Sequence, residues 1–324
     1  MKNRTGEKIN QISPSPFLPV QMYLNLIKGK QTLLLVYTAA FAYLITALQF
    51  TFNIFTFFWL LVALTLTIAG STLFNMYIDR DIDAIMERTK NRPLPSGKIA
   101  PSTVMKHGFF FTGAGLFCSF VYLNLLTTIT IFLGFFFDVI VYSSILKRRT
   151  KYSIIVGGIA GGLPAIAGRT ALINSVDLIS ILLGFFVIAW IPLHILTLAL
   201  LPANLKGYSD AKVPMWPVVS GERQTIYIVT FSAILSAILT LFTGILLEID
   251  PIWLIPLLFF SSYIIGIALR NLFTPTTPRT FKLFKAASIY MALTFILLFI
   301  GLLLTKNSFG SLAEILLAIK ALLF

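Results

Sequence analysis

The sequence predicts an all-α polytopic membrane protein with nine transmembrane helices. Of its 324 residues, 57% are hydrophobic and only 11% are charged, whereas soluble domains carry about 25% charged residues. The hydrophobic residues fall in blocks of about 18 to 24, each long enough to cross a hydrocarbon core of about 30 Å as a helix. This composition excludes a water-soluble fold. The single cysteine, Cys118, excludes an intrachain disulfide or an iron–sulfur cluster.

Nine apolar blocks define the predicted spans. In chain order they are Thr32–Gln49, Ile54–Tyr77, Gly108–Leu126, Thr127–Leu146, Ile154–Ile173, Leu178–Leu200, Thr225–Leu247, Ile252–Leu269 and Ala286–Thr305. The third and fourth blocks are contiguous, and we infer a tight hairpin near Asn124 because one helix of about 40 residues would overshoot the bilayer. Glycines in the fifth block indicate close helix packing. They are Gly157, Gly158, Gly161, Gly162 and Gly168.

Three segments divide the chain. They are a polar, basic and cytoplasmic N-terminal segment (1–31), a transmembrane domain of nine helices (32–305) and a C-terminal tail (306–324). The tail is too short to cross a bilayer. Its apolar residues recur with helical spacing, which favours an interfacial helix, and the alternative is a disordered tail.

The basic residues predict the orientation of the spans. On this division, 22 of the 25 lysines and arginines lie before the first span or in loops that follow an even-numbered span. By the positive-inside rule, the N-terminus is cytoplasmic and the C-terminus lies outside the cell membrane. The net charge of +13 then reflects topology and contact with anionic lipid. The sequence carries no nucleic-acid-binding motif.

An acidic cluster lies at the cytoplasmic end of the second span. Asn75, Asp79 and Asp83 are four residues apart, so a helix places them on one face. The negative end of the helix dipole disfavours carboxylates there, and a cation must compensate. Mg²⁺ is the favoured cation, because one or two carboxylates commonly hold it together with substrate phosphates. Asp81 faces away as a solvated charge. The alternative is a structural network with Arg80, Arg88 and Arg92.

Two cytoplasmic loops supply cations for a diphosphate clamp. These cations are Arg88, Arg92, Lys147 and Arg148. Guanidinium groups bind phosphate oxygens bidentately, and cations beside a departing pyrophosphate stabilise the charge that develops on it. The alternative is that these loops only follow the positive-inside rule.

Five stretches resemble the UbiA-type intramembrane prenyltransferases. The segment 75–94, NMYIDRDIDAIMERTKNRPL, resembles the first aspartate motif of that family. Four others resemble its protohaem IX farnesyltransferase branch: FLGFFFDVIVYSSILKRRT (132–150), IIVGGIAGGLPAIAG (154–168), WIPLH (190–194) and AKVPMWPVVSG (211–221). The similarity covers most of the chain.

The resemblance implies a nine-helix bundle around a lipid-accessible cavity. It also implies Mg²⁺ as cofactor, with farnesyl diphosphate and haem B as substrates. A farnesyl group is then transferred to a vinyl group of haem B, giving haem O, while Asn75, Asp79 and Asp83 hold the metal on the diphosphate. A haem A synthase or a terminal oxidase is the implied recipient of the product.

Two positions depart from the pattern of this branch. Where its second motif usually reads Lys-Asp-Tyr, this chain has Lys206-Gly207-Tyr208, and Lys28-Gly29-Lys30 replaces the usual Lys-Pro-Arg. Asp210 is the acid nearest to the missing carboxylate, and it is either a ligand of a second metal or a loop charge. Either the second metal is held differently, or the chain is a divergent paralogue with altered or lost activity.

Three residues within the predicted spans are candidates for binding the acceptor. His194, near Trp190, stands where the family usually has a histidine, and it either contacts haem or hydrogen-bonds a neighbouring helix. Asp138 lies in the fourth span, where a charge is costly and typical of a functional site.

Two other functions stay open at this point. One is prenyl transfer to a quinone ring precursor or a glycerol-phosphate lipid, and the other is a membrane transporter that uses the intramembrane acids. A transporter predicts broken helices at mid-membrane. Here the acids cluster at one boundary beside basic loops, which favours an enzyme.

Overall fold

The computed structural model describes the backbone of residues 29–323 and the side chains of residues 29 and 31–307. Predictions for residues 1–28 lie outside this range. The helices are α1 (Gly29–Gln49), α2 (Ile54–Ile78), α3 (Arg80–Ile85), α4 (Pro101–Tyr122), α5 (Leu125–Phe135), α6 (Ser153–Ile173), α7 (Leu178–Ala199), α8 (Pro202–Asp210), α9 (Trp216–Leu246), α10 (Pro251–Phe273) and α11 (Thr277–Leu323). A π-helical segment, Phe136–Leu146, continues α5.

Nine of the described helices are long and apolar enough to cross a membrane, which confirms the predicted all-α fold with nine spans. The spans are α1, α2, α4, α5 with its π-helical continuation, α6, α7, α9, α10 and α11. The short helices α3 and α8 belong to loops. Because successive spans alternate in direction, α3, α8 and the loops 86–100 and 147–152 lie at the same end of the bundle.

Two spans begin well before the apolar blocks, and a third has a break near its predicted start. α4 starts at Pro101 rather than at Gly108, and α11 starts at Thr277 rather than at Ala286. The third, α9, is helical from Trp216 but leaves helical geometry at Gly221 (φ 78°, ψ 170°), just before the predicted start at Thr225. α4 and α11 each have a proline in the first turn, Pro101 in α4 and Pro278 in α11. Proline suits this position because its backbone angle is already helical and the first N–H groups have no intrahelical acceptor. Hydropathy misses these starts because the first turns carry polar and basic residues.

The predicted hairpin between the third and fourth spans is confirmed, and Asn124 stabilises it. Only Leu123 and Asn124 separate α4 from α5. The Asn124 side-chain oxygen accepts from the Thr127 amide at 2.8 Å and so caps α5. Its amide nitrogen donates to the Thr170 carbonyl of α6 at 2.9 Å. One side chain thus starts α5 and ties the turn to α6.

Close contacts explain the glycines of α6. A Cβ at Gly162 would lie 2.5 Å from the Gly184 carbonyl oxygen on α7, and a Cβ at Gly168 would collide with the Ala39 carbonyl on α1. Any larger side chain would push these helices apart. The structure therefore supports the packing interpretation and places α6 between α1 and α7.

Arg169 of α6 lies at the end of the bundle opposite the acidic cluster, and only 3% of its side chain is exposed. Its Nε and Nη2 donate to the two carboxylate oxygens of Asp177 at 2.7 and 2.5 Å. Its Nη1 donates to Thr46 and Gln49 of α1. Burial alone would raise the pKa of Asp177, but hydrogen bonds from Arg169 and Ser180 lower this pKa below its usual value. The network joins α1, α6 and the start of α7.

The last helix, α11, continues from the ninth span to Leu323 without a break. The tail predicted as a separate interfacial helix is therefore helical and continuous with the span. Its side chains lie outside the described part of the structure, so its position at the membrane interface stays a prediction.

Candidate active site

The acidic cluster lies where α2 gives way to α3. Asp79 leaves helical geometry between the two helices, with φ −90° and ψ 3°. Hydrogen bonds from Asp79 N to Asn75 O (2.9 Å) and from Asp83 N to Asp79 O (2.7 Å) nevertheless continue the four-residue repeat. The three residues therefore stay in register across the break. Asn75, Asp79 and Asp83 are 8%, 5% and 4% exposed.

Each buried acid binds one cation through one oxygen. Lys147 Nζ lies 2.5 Å from Asp79 Oδ2, and Arg92 Nη1 lies 2.6 Å from Asp83 Oδ2. The cations are also shielded from solvent, since the side chains of Lys147 and Arg92 are 14% and 23% exposed. Two of the four cations predicted for the diphosphate clamp thus lie against the acids.

The other basic candidates lie away from these acids. Arg148 donates to both carboxylate oxygens of Asp81, at 2.7 and 2.6 Å. This hydrogen bonding lowers the pKa of Asp81 to about 2. Arg88 is exposed, and Arg80 donates to the carbonyl of Tyr77. Asp81 faces solvent, with Arg148 as its partner.

Two buried oxygens of the cluster, Asn75 Oδ1 and Asp79 Oδ1, have no hydrogen-bond donor within the described part of the chain. Asn75 donates its amide nitrogen to Asp138 Oδ2 at 2.8 Å. Because an ionised carboxylate only accepts, this bond turns the Asn75 oxygen away from Asp138. Unsatisfied buried acceptors are costly, and amide and carboxylate oxygens suit Mg²⁺. These residues therefore fit a divalent cation.

The donor set is small. Among the described residues, no group of three or more His, Cys, Asp or Glu side chains has an arrangement suited to a metal ion. A cation at Asn75, Asp79 and Asp83 would take its remaining ligands from water or phosphate, which is usual for Mg²⁺.

The π-helical segment places Lys147 beside the acids. Asp138 and Lys147 are nine positions apart, and an α-helix with about 3.6 residues per turn would put them on opposite faces. A π-helix bonds residue i to i+5 and takes about 4.4 residues per turn, so nine positions nearly complete two turns. Lys147 N to Tyr142 O, at 2.8 Å, is such a bond. Asp138 and Lys147 therefore both reach α2.

Two tyrosines outside the predicted site border Lys147. The Lys147 ammonium lies 5.8 Å from the ring centroid of Tyr142, and Tyr208 of α8 lies close enough to interact with it electrostatically. Burial would lower the pKa of Lys147, but its surroundings, which include the Asp79 carboxylate, raise this pKa above its usual value. The sequence signal for Tyr208 is its place beside Gly207. The apolar pattern of the fourth span does not mark Tyr142.

The missing acid of the second motif would face an apolar neighbour. A Cβ at Gly207 would lie 3.2 Å from Met86 Cε, and Met86 is buried beside α3. A carboxylate at this position would displace or contact the thioether. Asp210 is exposed at the end of α8, and its role as a ligand of a second metal stays a prediction.

His194 and Trp190 pack between α7 and α11. The His194 ring is stacked between Trp190 and Phe284, with centroid distances of 4.6 and 4.7 Å. Trp190 is 4% exposed and donates its Nε1 to the Ala287 carbonyl at 2.7 Å. His194 Nδ1 lies 3.3 Å from Ser288 Oγ. Trp190 thus joins the two helices, whereas His194 Nε2 has no hydrogen-bond partner among the described residues.

Comparison with known sequences gives one family. The UbiA prenyltransferase family model matches residues 35–296. A protoheme IX farnesyltransferase of Archaeoglobus fulgidus is 31% identical over 87% of this chain and 98% of the relative. The enzyme of the same name from Korarchaeum cryptofilum is 35% identical over 82% of this chain and 88% of the relative. That from Ehrlichia chaffeensis is 37% identical over 75% and 81%.

Solved structures show the same fold. A digeranylgeranylglyceryl phosphate synthase superposes with a TM-score of 0.72 at 22% identity, covering 87% of this chain and 98% of that one. A UbiA homologue from Archaeoglobus fulgidus, bound to DMAPP and Mg²⁺, superposes with a TM-score of 0.61 at 17% identity, covering 86% and 99%. The nine-span bundle is therefore the fold of these proteins.

Proposed function

This chain belongs to the UbiA prenyltransferase family, and on that basis we propose that it transfers a farnesyl group from farnesyl diphosphate to a vinyl group of haem B, in a Mg²⁺-dependent reaction that gives haem O. One observation carries the proposal. Two buried oxygens without donors among the described residues, on Asn75 and Asp79, lie in the same cluster as the half-buried cations Lys147 and Arg92, which pair with Asp79 and Asp83. A metal ion bound to a diphosphate would satisfy the two oxygens, and the diphosphate oxygens would bind the two cations. The acceptor is proposed from the relatives, which are named protoheme IX farnesyltransferases.

The acidic cluster would hold the metal through Asn75, Asp79 and Asp83, and Asp138 positions the Asn75 amide through its hydrogen bond. When bound, Mg²⁺ supplies positive charge that stabilises the departing diphosphate. Lys147 and Arg92 bind diphosphate oxygens and stabilise the same developing charge. The site is shielded from solvent, which strengthens each of these interactions.

The chemistry requires no nucleophile from the protein. The bond between C1 of the farnesyl group and the diphosphate oxygen breaks, and its electron pair leaves with the diphosphate. The resulting allylic cation is attacked by the π electrons of the haem vinyl group. Addition of water and loss of a proton then complete the hydroxyethylfarnesyl substituent. The protein binds and orients the substrates and neutralises the charge on the diphosphate.

His194 is the residue that we propose contacts the haem. Ser288 donates its hydroxyl hydrogen to the Phe284 carbonyl at 3.1 Å, so its oxygen is available to accept from His194 Nδ1. This arrangement favours the tautomer with the proton on Nδ1 and a lone pair on Nε2. A histidine that ligates a metal is usually oriented by such a bond from its other nitrogen.

Haem binding tests this assignment. We expect the purified wild-type protein to shift the Soret band of added haem B, and His194→Ala to weaken binding about tenfold or more, because it removes an orienting or ligating contact. His107→Ala is the matched control, since His107 is the other histidine of the chain and lies on α4. Titration of haem B followed by absorbance measures both.

Three outcomes are informative. Retained haem affinity in His194→Ala would contradict the contact. Binding of farnesyl diphosphate should be unchanged in this variant, because the diphosphate binds at the acids on α2 and α3. If wild-type protein binds no haem but prenylates a quinone precursor or a glycerol-phosphate lipid, the acceptor proposal fails and the diphosphate site stands.

The described helices make this an integral membrane protein, and we propose that it lies in the cell membrane with the N-terminus and the acidic cluster cytoplasmic. Reporter fusions test the orientation. A reporter inserted in the loop 86–100 should indicate a cytoplasmic location, and a reporter fused after Lys306 should indicate a location outside the cell. The reason is that the basic residues concentrate in the loops that follow even-numbered spans. A cytoplasmic signal after Lys306 would contradict the topology.

We also propose that the product passes to a haem A synthase or a terminal oxidase.

A further inference from the structure

The two cations of the candidate site bind the acids directly. Lys147 binds Asp79 Oδ2 and Arg92 binds Asp83 Oδ2. The second oxygen of Asp79 is buried without a donor among the described residues, as is the amide oxygen of Asn75. A metal ion that uses these oxygens must therefore share the Asp79 carboxylate with the ammonium group of Lys147.

Sharing one buried carboxylate between an ammonium group and a divalent cation is unfavourable. The two cations repel each other, and burial limits the screening of this repulsion by water and salt. A diphosphate changes the balance, because its negatively charged oxygens can bind the metal and the ammonium group at the same time. Its arrival would offer Lys147 a new partner.

We propose that Lys147 is a built-in counter-ion that binds Asp79 in the empty site and moves to the diphosphate when metal and diphosphate bind together. Metal and diphosphate then bind with strong mutual cooperativity, and neither binds tightly alone. This inference rests on the proposed function, because it requires that the acids hold a metal and that a diphosphate is the substrate. Thermodynamic linkage makes the effect reciprocal, so each ligand raises the affinity for the other by the same factor.

The structure allows the Lys147 side chain to move while its basic neighbours in the loop stay in place. Its neighbour Arg148 is anchored by Asp81 and by the Ile78 carbonyl, and Lys151 is anchored by the Ser220 hydroxyl at 2.6 Å. The loop backbone is therefore held at both ends. Lysine carries a compact charge on a flexible stem, so its ammonium group can change partner without a change in the loop.

Binding of Mn²⁺ alone tests the competition. Electron paramagnetic resonance measures it on the whole chain in lipid nanodiscs. Lys147→Met removes the competing charge, and we expect Mn²⁺ to bind about tenfold more tightly than to wild type. Lys151→Met is the matched control, because it removes a lysine of the same loop, and its Mn²⁺ affinity should stay within about twofold of wild type. Lys147→Gln, which keeps a donor for Asp79 without the charge, should behave like Lys147→Met and serves if the latter does not fold.

Coupling to diphosphate is the second readout. Farnesyl thiodiphosphate, which ionises slowly, should tighten Mn²⁺ binding to wild type by about 5- to 150-fold after correction for complexes in solution. The factor should fall in Lys147→Gln, because the variant has lost both the competing charge and its attraction to phosphate. An equal factor in wild type and variant would contradict the proposal.

Asp79→Asn distinguishes a failure of the counter-ion role from a failure of the metal site. If it abolishes Mn²⁺ binding while both Lys147 variants bind Mn²⁺ like wild type or more weakly, the counter-ion role is wrong and the metal site stands. If Asp79→Asn leaves Mn²⁺ binding unchanged, the proposed metal site fails, and the counter-ion role fails with it.

Discussion

Asp79→Asn and Asp83→Asn are each expected to lower prenyl transfer about a hundred- to ten-thousand-fold, because each keeps the shape of the side chain but removes the negative charge that holds Mg²⁺ on the diphosphate. Both acids are buried, and each has a single cationic partner among the described residues. Turnover is measured with purified protein, farnesyl diphosphate and haem B at fixed magnesium. Far-ultraviolet circular dichroism and gel filtration should show that the variants remain folded.

Asp81→Asn is the control from the same motif. The Asp81 side chain is 61% exposed and pairs with Arg148, and it does not belong to the face that carries Asn75, Asp79 and Asp83. Its turnover should stay within about threefold of wild type, because an exposed ion pair contributes little to stability and the residue is outside the metal site. Near-normal turnover in Asp79→Asn, or an equal loss in Asp81→Asn, would contradict the assignment of the metal ligands.

Arg169→Met is expected to lower the free energy of unfolding by about 3 kcal/mol, since it leaves the Asp177 carboxylate without its buried partner and removes the bonds to Thr46 and Gln49. We expect the lower end of the range for buried pairs because Asp177 is 35% exposed and water can reach it. Steric trapping in lipid bicelles measures this free energy. Arg149→Met, at an exposed position, should change it by less than about 0.5 kcal/mol.

The pH dependence of the same pair has a definite sign. The pKa of Asp177 is lower in the folded protein than its usual value, so the pair stabilises fully above the unfolded pKa of about 3.9. This stabilisation is lost as the pH falls through the folded pKa. The difference between wild type and Arg169→Met should therefore be equal at pH 8 and pH 6. A difference that disappears between these values, or no destabilisation at all, would contradict the structural role of the network.

The number of spans could be predicted from the sequence because hydropathy reports what must be buried in lipid. The starts of α4 and α11 could not, because each begins with a polar first turn that contains a proline, and hydropathy does not register this signal. The alignment of Asn75, Asp79 and Asp83 follows from their spacing. It persists through the irregular backbone at Asp79, since the four-residue hydrogen bonds continue there.

The partner of Asp79 could not be predicted. Lys147 reaches it because Phe136–Leu146 is wound as a π-helix, and ordinary α-helical spacing would turn Lys147 away from the face that carries Asp138. Likewise, the contact of Gly207 with Met86 depends on how α8 packs against the residue that follows α3. The stack of His194 on Phe284 depends on the packing of α7 against α11. Such contacts between helices leave no local signal in the sequence.

Mass spectrometry of the products tests the central claim most directly. Purified protein in lipid nanodiscs would be incubated with haem B, farnesyl diphosphate and Mg²⁺, and haem and lipid would be extracted and analysed. The account predicts a heavier, more hydrophobic haem that carries a hydroxyethylfarnesyl group, and predicts that it is absent without Mg²⁺ and strongly reduced in Asp79→Asn. Haem B of unchanged mass, from protein that is folded and binds both substrates, would contradict the account.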